Sequence, residues 1–380
     1  MLQLLLGGSG SGKTTLLYQR IRARAEKGEK SILLVPEQFT SSTEGRIYRE
    51  LGDALSGMVE SFSFTSLAEK ILSTEGGAAV QTLSDAGRAV LVRRALEELQ
   101  DNVHYYHRHR RSAAFCQMAA QTIDELKSAG LSGQQLAQLA GACGAESGKL
   151  SELALIFQGY ETLLARSGMD PSDRLELAGA RLEEALARHS LPEFLRDRAV
   201  FIDEFDTFNA PKKRLLGAML AALPSVTVAL CDDGAPLLPG DLSLFSGAKQ
   251  VAAQLRQLAR KNGAEVAVPQ LLRKDLRHRN APGLAAVAEL LETGSCTADA
   301  PAGEVRLFAA PSREEEARAA AGAIRRLMRQ GVRCGKIAVV CRDIAKYRAA
   351  VRYEFRMAEI PLSVSYTHLR AHETAANIVC

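Results

Sequence analysis

The segment Met1–Gln19, MLQLLLGGSGSGKTTLLYQ, decides how the fold is read. Leu2 to Leu6 are uniformly apolar, and five residues span roughly 17 Å as a strand, enough for one buried parallel strand. Gly7 to Thr14 reads G-x-x-x-x-G-K-T, and helix formers follow from Thr15 to Ala25. Strand, glycine-rich turn and helix form the context in which this pattern cradles phosphate. Gly7, Gly8, Gly10 and Gly12 let the backbone curl its N–H groups inward, with Ser9, Ser11 and Thr15 completing the loop. The helix N-terminus adds partial positive charge at the same point. Lys13 is expected to reach the β- and γ-phosphates of ATP, and the Thr14 hydroxyl to sit on Mg²⁺. The alternative is an ordinary Gly/Ser turn.

Length and composition set the frame around this loop. At 380 residues, two domains or one domain with a large insertion are expected. An apolar fraction of 47% and a charged fraction of 24% are those of a soluble globular chain. The net charge of +4 is too small to demand a polyanion by itself, so any DNA-binding surface must come from local arrangement. The seven cysteines, at 116, 143, 231, 296, 334, 341 and 380, form no C-x-x-C pair, so no zinc or iron–sulfur set is legible. Free thiols fit a reducing cytoplasm, and the apolar start reads as core strand and not as a signal peptide. The uncharged run Leu215–Cys231 is broken by Pro224-Ser225. It is expected to be helix, turn and buried strand, with no membrane span.

Further along, Ser31–Val35 reads as a second strand and Val59–Phe64 as a third, followed by a helix capped by Thr65 or Ser66. From Ser84 to about Leu195 apolar residues recur at three- and four-residue steps, which is helical throughout. Strands return at Ala199–Ile202 and Val226–Cys231, with helices at Lys212–Leu223 and near Ala248–Asn262, then a less regular stretch. After the link TADAPAGE at 297–304, EVRLFAA reads as a strand, SREEEARAAAGAIRRLMRQG as a helix and KIAVVCRD as another strand. Such alternation gives parallel sheets.

The strand Ala199–Ile202 ends in Asp203-Glu204. Beside a phosphate loop, Asp203 is expected to orient Mg²⁺ and Glu204 to polarise the attacking water as the catalytic group. The alternative is an acidic pair that caps the next helix. Lys13 and Asp203 are 190 positions apart, whereas simple domains of this kind run to about 100–150 residues. The gap requires an insertion, and the helical block supplies it.

The fold class expected is therefore α/β, a P-loop NTPase (RecA-like) parallel sheet with a helical insertion, followed by the start of a second α/β domain. This is the layout of superfamily 1 helicases. The first domain takes residues 1–80 and 196–300, the insertion 81–195, and the second domain starts over 301–364. The chain resembles the N-terminal part of the B subunit of AddAB-type helicase–nucleases. The residues carrying this likeness are GGSGSGKTT, LLVPEQFT, SFSFTSLAEKIL, TIDELKSAGL, IFQGYETLL, FIDEFDTF, SREEEARAAAGAIRRLMRQGVRCGKIAVVCRDIAKY and IPLSV, in order over about residues 1–364. The end, SYTHLRAHETAANIVC (365–380), departs from the family and reads as a non-native tail, so His368 and His372 carry no functional claim.

The resemblance implies an ATP-dependent helicase/exodeoxyribonuclease that processes double-strand DNA breaks, acting as a heterodimer with an A subunit on single-stranded DNA and duplex ends. It also implies a nuclease domain and an iron–sulfur cluster, whose ligands are not in this chain. By the same likeness, Gln38, Phe39, Thr40, Ser63, Phe64 and Thr65 match segments that touch single-stranded DNA; the alternative for the two phenylalanines is the core. The stretch HYYHRHRR (His104–Arg111) is suited to phosphates or to a solvated helix end. With no adenine-side segment before Leu2, and DDGAP after VTVALC in place of an acidic pair and Gln, a second reading stands open. In it the nucleotide only stabilises a non-hydrolysing DNA-recognition scaffold. A small-molecule kinase, the third reading, would be more compact.

Overall fold

The computed structural model describes every residue except 78, 80, 100, 145–146, 296–303, 365–375 and 380. The chain forms two compact units, Met1–Thr297 and Ala298–Cys380.

The first unit is built on six parallel strands: β1 (Leu2–Gly7), β2 (Ser31–Leu34), β3 (Val59–Phe62), β4 (Ala199–Ile202), β5 (Ser225–Cys231) and β6 (Gln270–Leu272). Their order in the sheet is β3-β2-β4-β5-β1-β6. Successive side chains on a strand face opposite ways. Leu4 and Leu6 therefore pack on one face with Ile32, Leu34, Val200, Ile202, Val228 and Leu230. Leu5 packs on the other with Leu33, Ala199, Phe201 and Ala229. Both faces are covered at the central strands, which is why residues 32–34 of β2 and Ala199–Ile202 of β4 read as unbroken apolar runs.

Helices α1 (Lys13–Ala25), α2 (Thr40–Leu51) and the single turn α3 (Asp53–Ser56) follow the first two strands. Leu17, Ile21 and Ile47 cover the Leu5 face. The Leu4 face is covered by α4 (Phe64–Glu75) and by three helices from later in the chain. The cap of α4 is Ser63 and not Thr65 or Ser66: the Ser63 hydroxyl accepts from Ser66 N–H, and Ser66 Oγ accepts in return from Ser63 N–H. A capping box closes earlier than the apolar pattern suggests, because Phe64 itself belongs to the helix.

Between Thr82 and Leu195 come α5 (Asp85–Glu98), α6 (Ala113–Ser128), α7 (Gly133–Ala140), α8 (Ser147–Ser167) and α9 (Pro171–Ala187). The first four enclose a core of their own around Val92, Leu96, Ile123, Phe157 and Tyr160. Helix α9 instead lends Ala178 and Leu182 to the sheet core. A buried polar knot ties the two together. Lys127 donates to Asp170 at 2.9 Å and to Asp173 at 2.9 Å, and the Tyr160 hydroxyl donates to Asp170 at 2.6 Å.

The run Leu215–Cys231 divides between α10 (Ala210–Ala222) and β5, and no helix among the described residues is long and apolar enough to cross a membrane. Helices α11 (Ser246–Lys261) and α12 (Pro282–Thr293) complete the first unit.

The second unit holds α13 (Arg313–Arg329), β7 (Ala338–Cys341), α14 (Ile344–Met357), β8 (Ser363–Val364) and β9 (Ala376–Val379) around Ala321, Ile324, Val351 and Phe355. Two expectations are corrected here. EVRLFAA forms no strand, because it finds no ladder; Leu307 and Phe308 stand 101% and 64% exposed. The sheet is antiparallel and not parallel, because β9 lies between β7 and β8 and runs against both. Part of the 365–380 segment is thus strand; His368 and His372 lie outside the described residues, as do Cys296 and Cys380.

Candidate functional site

Parallel α/β sheets bind ligands beyond the carboxyl ends of their strands, where the direction of strand succession changes. Here the chain passes from β1 to β2 and β3 at one edge, then returns through β4 and β5 to β6 at the other. The glycine loop leaves the carboxyl end of β1. Gly10 and Gly12 have φ of 81° and 89°, a left-handed backbone that costs glycine nothing. Gly12 is the N-cap of α1, and no side chain caps that helix, so its first N–H groups face the loop interior without a side-chain acceptor.

The acidic pair arrives from β4, which β5 separates from β1. Asp203 is buried and fixed from two sides. Its N–H donates to Leu34 O at 3.1 Å, and its Oδ1 accepts from Glu204 N–H at 3.0 Å. The Thr14 hydroxyl also bonds its carboxylate. Burial pushes the Asp203 carboxyl above its ordinary range, against the pull of Thr14 and Lys13. Glu204 lies at the exposed mouth in the left-handed region, at φ 64°. Its carboxyl is also raised, first by desolvation and then by Asp203, with Arg46 opposing. The Lys13 ammonium donates to Gly7 O at 2.7 Å and Gly8 O at 2.8 Å; burial lowers its pKa, with Cys231 and Asp203 acting against that.

These groups share one cavity of about 480 Å³. Ser9, Gly10, Gly12, Lys13, Thr14, Thr15, Asp203 and Glu204 all line it. Gly7, Gly8 and Ser11 face instead a second cavity of about 350 Å³ on the loop's other side. Two lining arginines carry no mark in the sequence reading. Arg46, on α2, sits 4.9 Å from the centre of the Tyr18 ring. Arg277 comes from the stretch between β6 and α12, which the sequence marks only as less regular. That stretch lies directly on the loop: Leu276 N–H donates to Gly10 O at 3.0 Å and Arg277 Nη1 to Ser9 Oγ at 3.1 Å. Asp275 shapes the turn by accepting from the N–H groups of Arg277 and His278. Five basic residues within Arg273–Arg279 were the available clue.

The residues present fit an anionic, metal-assisted ligand. A helix start without a side-chain cap, a half-buried ammonium and two guanidinium groups supply positive charge. Thr14 and Asp203 supply the hydroxyl and carboxylate that Mg²⁺ takes from protein while keeping most of its water. Among the described residues no three His, Cys, Asp or Glu side chains converge as a metal set.

The segments likened to DNA-contacting ones leave the same sheet edge, after β2 and β3. Gln38 is exposed in a short turn, and Thr65 is exposed on α4. Thr40 spends its hydroxyl on Glu37 O at 3.0 Å. Phe39 is half-buried against the core. Ser63 and Phe64 need correcting. Ser63 is buried as the α4 cap, and Phe64 is 2% exposed, edge-on to Phe205 at 5.2 Å and Phe208 at 6.0 Å. The aromatic cluster encloses the Phe64 ring, so it offers no face to a base.

Fold and site together define a parallel α/β protein with a glycine-rich, helix-backed loop and a carboxylate pair meeting at the carboxyl ends of its strands. Residues 4–288 match the family described as ADDB, N-terminal. The chain belongs to this family, as an N-terminal portion of AddB. It is 32% identical over its whole length to the B subunit of the ATP-dependent helicase/deoxyribonuclease of Desulforudis audaxviator, covering 33% of that protein. The corresponding protein of Symbiobacterium thermophilum is likewise 32% identical, with 100% of this chain and 33% of the relative covered. For that of Geobacillus kaustophilus the identity is 31%, over 95% of this chain and 32% of the relative. The chain thus spans about a third of the length of the curated relatives it matches.

Proposed function

We propose that this chain is the nucleotide- and DNA-binding N-terminal part of a helicase–deoxyribonuclease that processes double-strand breaks for recombinational repair, paired with an A subunit. The observation that carries this is the convergence of Lys13, Thr14, Asp203, Glu204 and Arg277 on one cavity in a chain of the AddB family. In this reading Lys13 and the loop N–H groups hold the phosphates of ATP, and Arg277 closes over them. Thr14 and Asp203 would hold Mg²⁺, which would supply charge neutralisation at the phosphates. Glu204 orients the attacking water and takes its proton. Gln38 and Thr65 are the exposed amide and hydroxyl groups available to single-stranded DNA at the adjacent strand ends, with the half-buried Thr40 beside them.

Mg-ATP at 100 times its dissociation constant should stabilise the chain by about 2.7 kcal/mol. That is a melting shift of about 4 °C for a unit of this size. Lys13→Ala should abolish the shift; an undiminished shift would remove the loop from the nucleotide site. The second reading, a nucleotide-stabilised scaffold, draws on the left-handed backbone and solvent exposure of Glu204, a loose setting for a general base. Glu204→Gln in the reconstituted two-subunit complex separates the two. Unchanged turnover attributable to this site favours the scaffold.

A further inference from the structure

The stretch His104–Arg111 lies in the connection between α5 and α6, on the helical block and not at the sheet edge. No Asp or Glu occurs from Asn102 through Ile123, and the stretch itself holds three arginines, three histidines and two tyrosines. Its backbone is held in a defined shape. Glu152, on α8, is 6% exposed, and its carboxylate accepts N–H groups from three consecutive residues of the turn. These are His104 at 2.7 Å, Tyr105 at 2.9 and 3.0 Å, and Tyr106 at 3.2 Å. Val103, 1% exposed, anchors the turn in the core of the block, and Tyr106 stacks on Phe115 at 5.3 Å.

This anchored base presents its charges outward. Arg108 and Arg111 are exposed; Arg110 is half-buried, and its Nη1 lies 3.3 Å from His107 Nδ1. Among the described residues none of the three forms an ion pair with a carboxylate, whereas Arg93 and Arg94 of the same block are paired with Glu97 and Glu98. Tyr105 stands 58% exposed beside them. Guanidinium forks match phosphate oxygens two at a time, and an exposed ring next to them suits a sugar or base. An acidic peptide would use the cations and leave the ring without a role.

We propose that the His104–Arg111 turn is a nucleic-acid backbone contact, with Arg108, Arg110 and Arg111 on phosphates, Tyr105 against the adjoining sugar or base, and Glu152 as the positioning residue. This rests on the reading of the chain as a DNA-binding one and adds a second contact surface to it.

The test is binding of a 20-base-pair duplex to the 380-residue chain by fluorescence anisotropy over a range of salt. For duplex DNA each neutralised phosphate contributes about 0.9 to the slope of log affinity on log salt. Arg108→Ala/Arg110→Ala/Arg111→Ala should flatten that slope by up to about 2.7 and weaken binding at 0.1 M salt by about tenfold or more. Arg93→Ala/Arg94→Ala, which removes paired arginines, should change the slope little. If circular dichroism shows the triple variant misfolded, Arg108→Ala alone is read, with a loss of about 0.9. A parent chain that binds no DNA overturns both this proposal and the functional reading beneath it. A parent that binds, with a slope unmoved by the triple variant, overturns this proposal alone. So does polyglutamate competing as well as DNA at equal charge, which would make the turn an acidic-peptide site.

Discussion

Glu204 gives the sharpest test of how the site is built. Its backbone is left-handed at φ 64°, where a side chain on Cα costs about 1–2 kcal/mol. Glycine escapes that cost but brings about 0.4–1 kcal/mol of extra unfolded-state freedom. The balance leaves Glu204→Gly about 0.5–1 kcal/mol more stable than the parent. Removing a carboxylate from beside Asp203 acts in the same direction. Glu204→Gln keeps the strained backbone and loses only the charge, so the difference between the two variants isolates the backbone contribution. Urea unfolding followed by far-UV circular dichroism would measure it, and the melting temperature should rise by about 1–2 °C. Both variants should lose whatever ATP hydrolysis the protein performs, so stability would rise as activity falls. A glycine variant no more stable than the glutamine variant would refute the claim that the backbone here is under strain.

Lys127→Met should destabilise the first unit by about 3–5 kcal/mol, read as a fall in urea midpoint, because it leaves the buried Asp170 and its neighbour Asp173 without their cation. In Gly10→Ala the new methyl would meet Arg277 Cβ at 2.7 Å on a backbone at φ 81°. A loss of about 1–2 kcal/mol is expected from the backbone alone, together with a smaller ATP-induced melting shift. Burial pushes the Tyr18 hydroxyl up to about 12. The folded chain therefore keeps a proton that the unfolded chain gives up near pH 10, and stability should fall as pH rises from about 10 to about 12. Tyr18→Phe should lose that part of the decline in alkaline urea titrations.

What the sequence disclosed follows physical lines. The glycine loop and the acidic strand end were legible because their chemistry is local: a strand, a turn that only glycine fits, and carboxylates placed where a buried run stops. The double-sided cover of the sheet was legible for the same reason, in Leu4, Leu5 and Leu6 alike. Arg46 and Arg277 were not, since an arginine that reaches a site from another element looks like any surface arginine. Phe64 misled because the enclosing Phe205 and Phe208 lie some 140 positions later. EVRLFAA misled because strand propensity is no guarantee of a partner ladder. Glu152 lay hidden within a helix whose periodic pattern gives no sign that its carboxylate collects three backbone N–H groups from 46 to 48 positions away.

The register of β1 has a consequence for the birth of the protein. Its two ladder neighbours are Ser225–Cys231 and Gln270–Leu272. At about 5–20 residues per second of synthesis, β1 waits about 10–45 s for the nearer of them. Throughout that interval LQLLLG has both edges bare. A strand made well before either of its partners is secured late, so an apolar segment of this kind should lean on a holding chaperone until β5 is made.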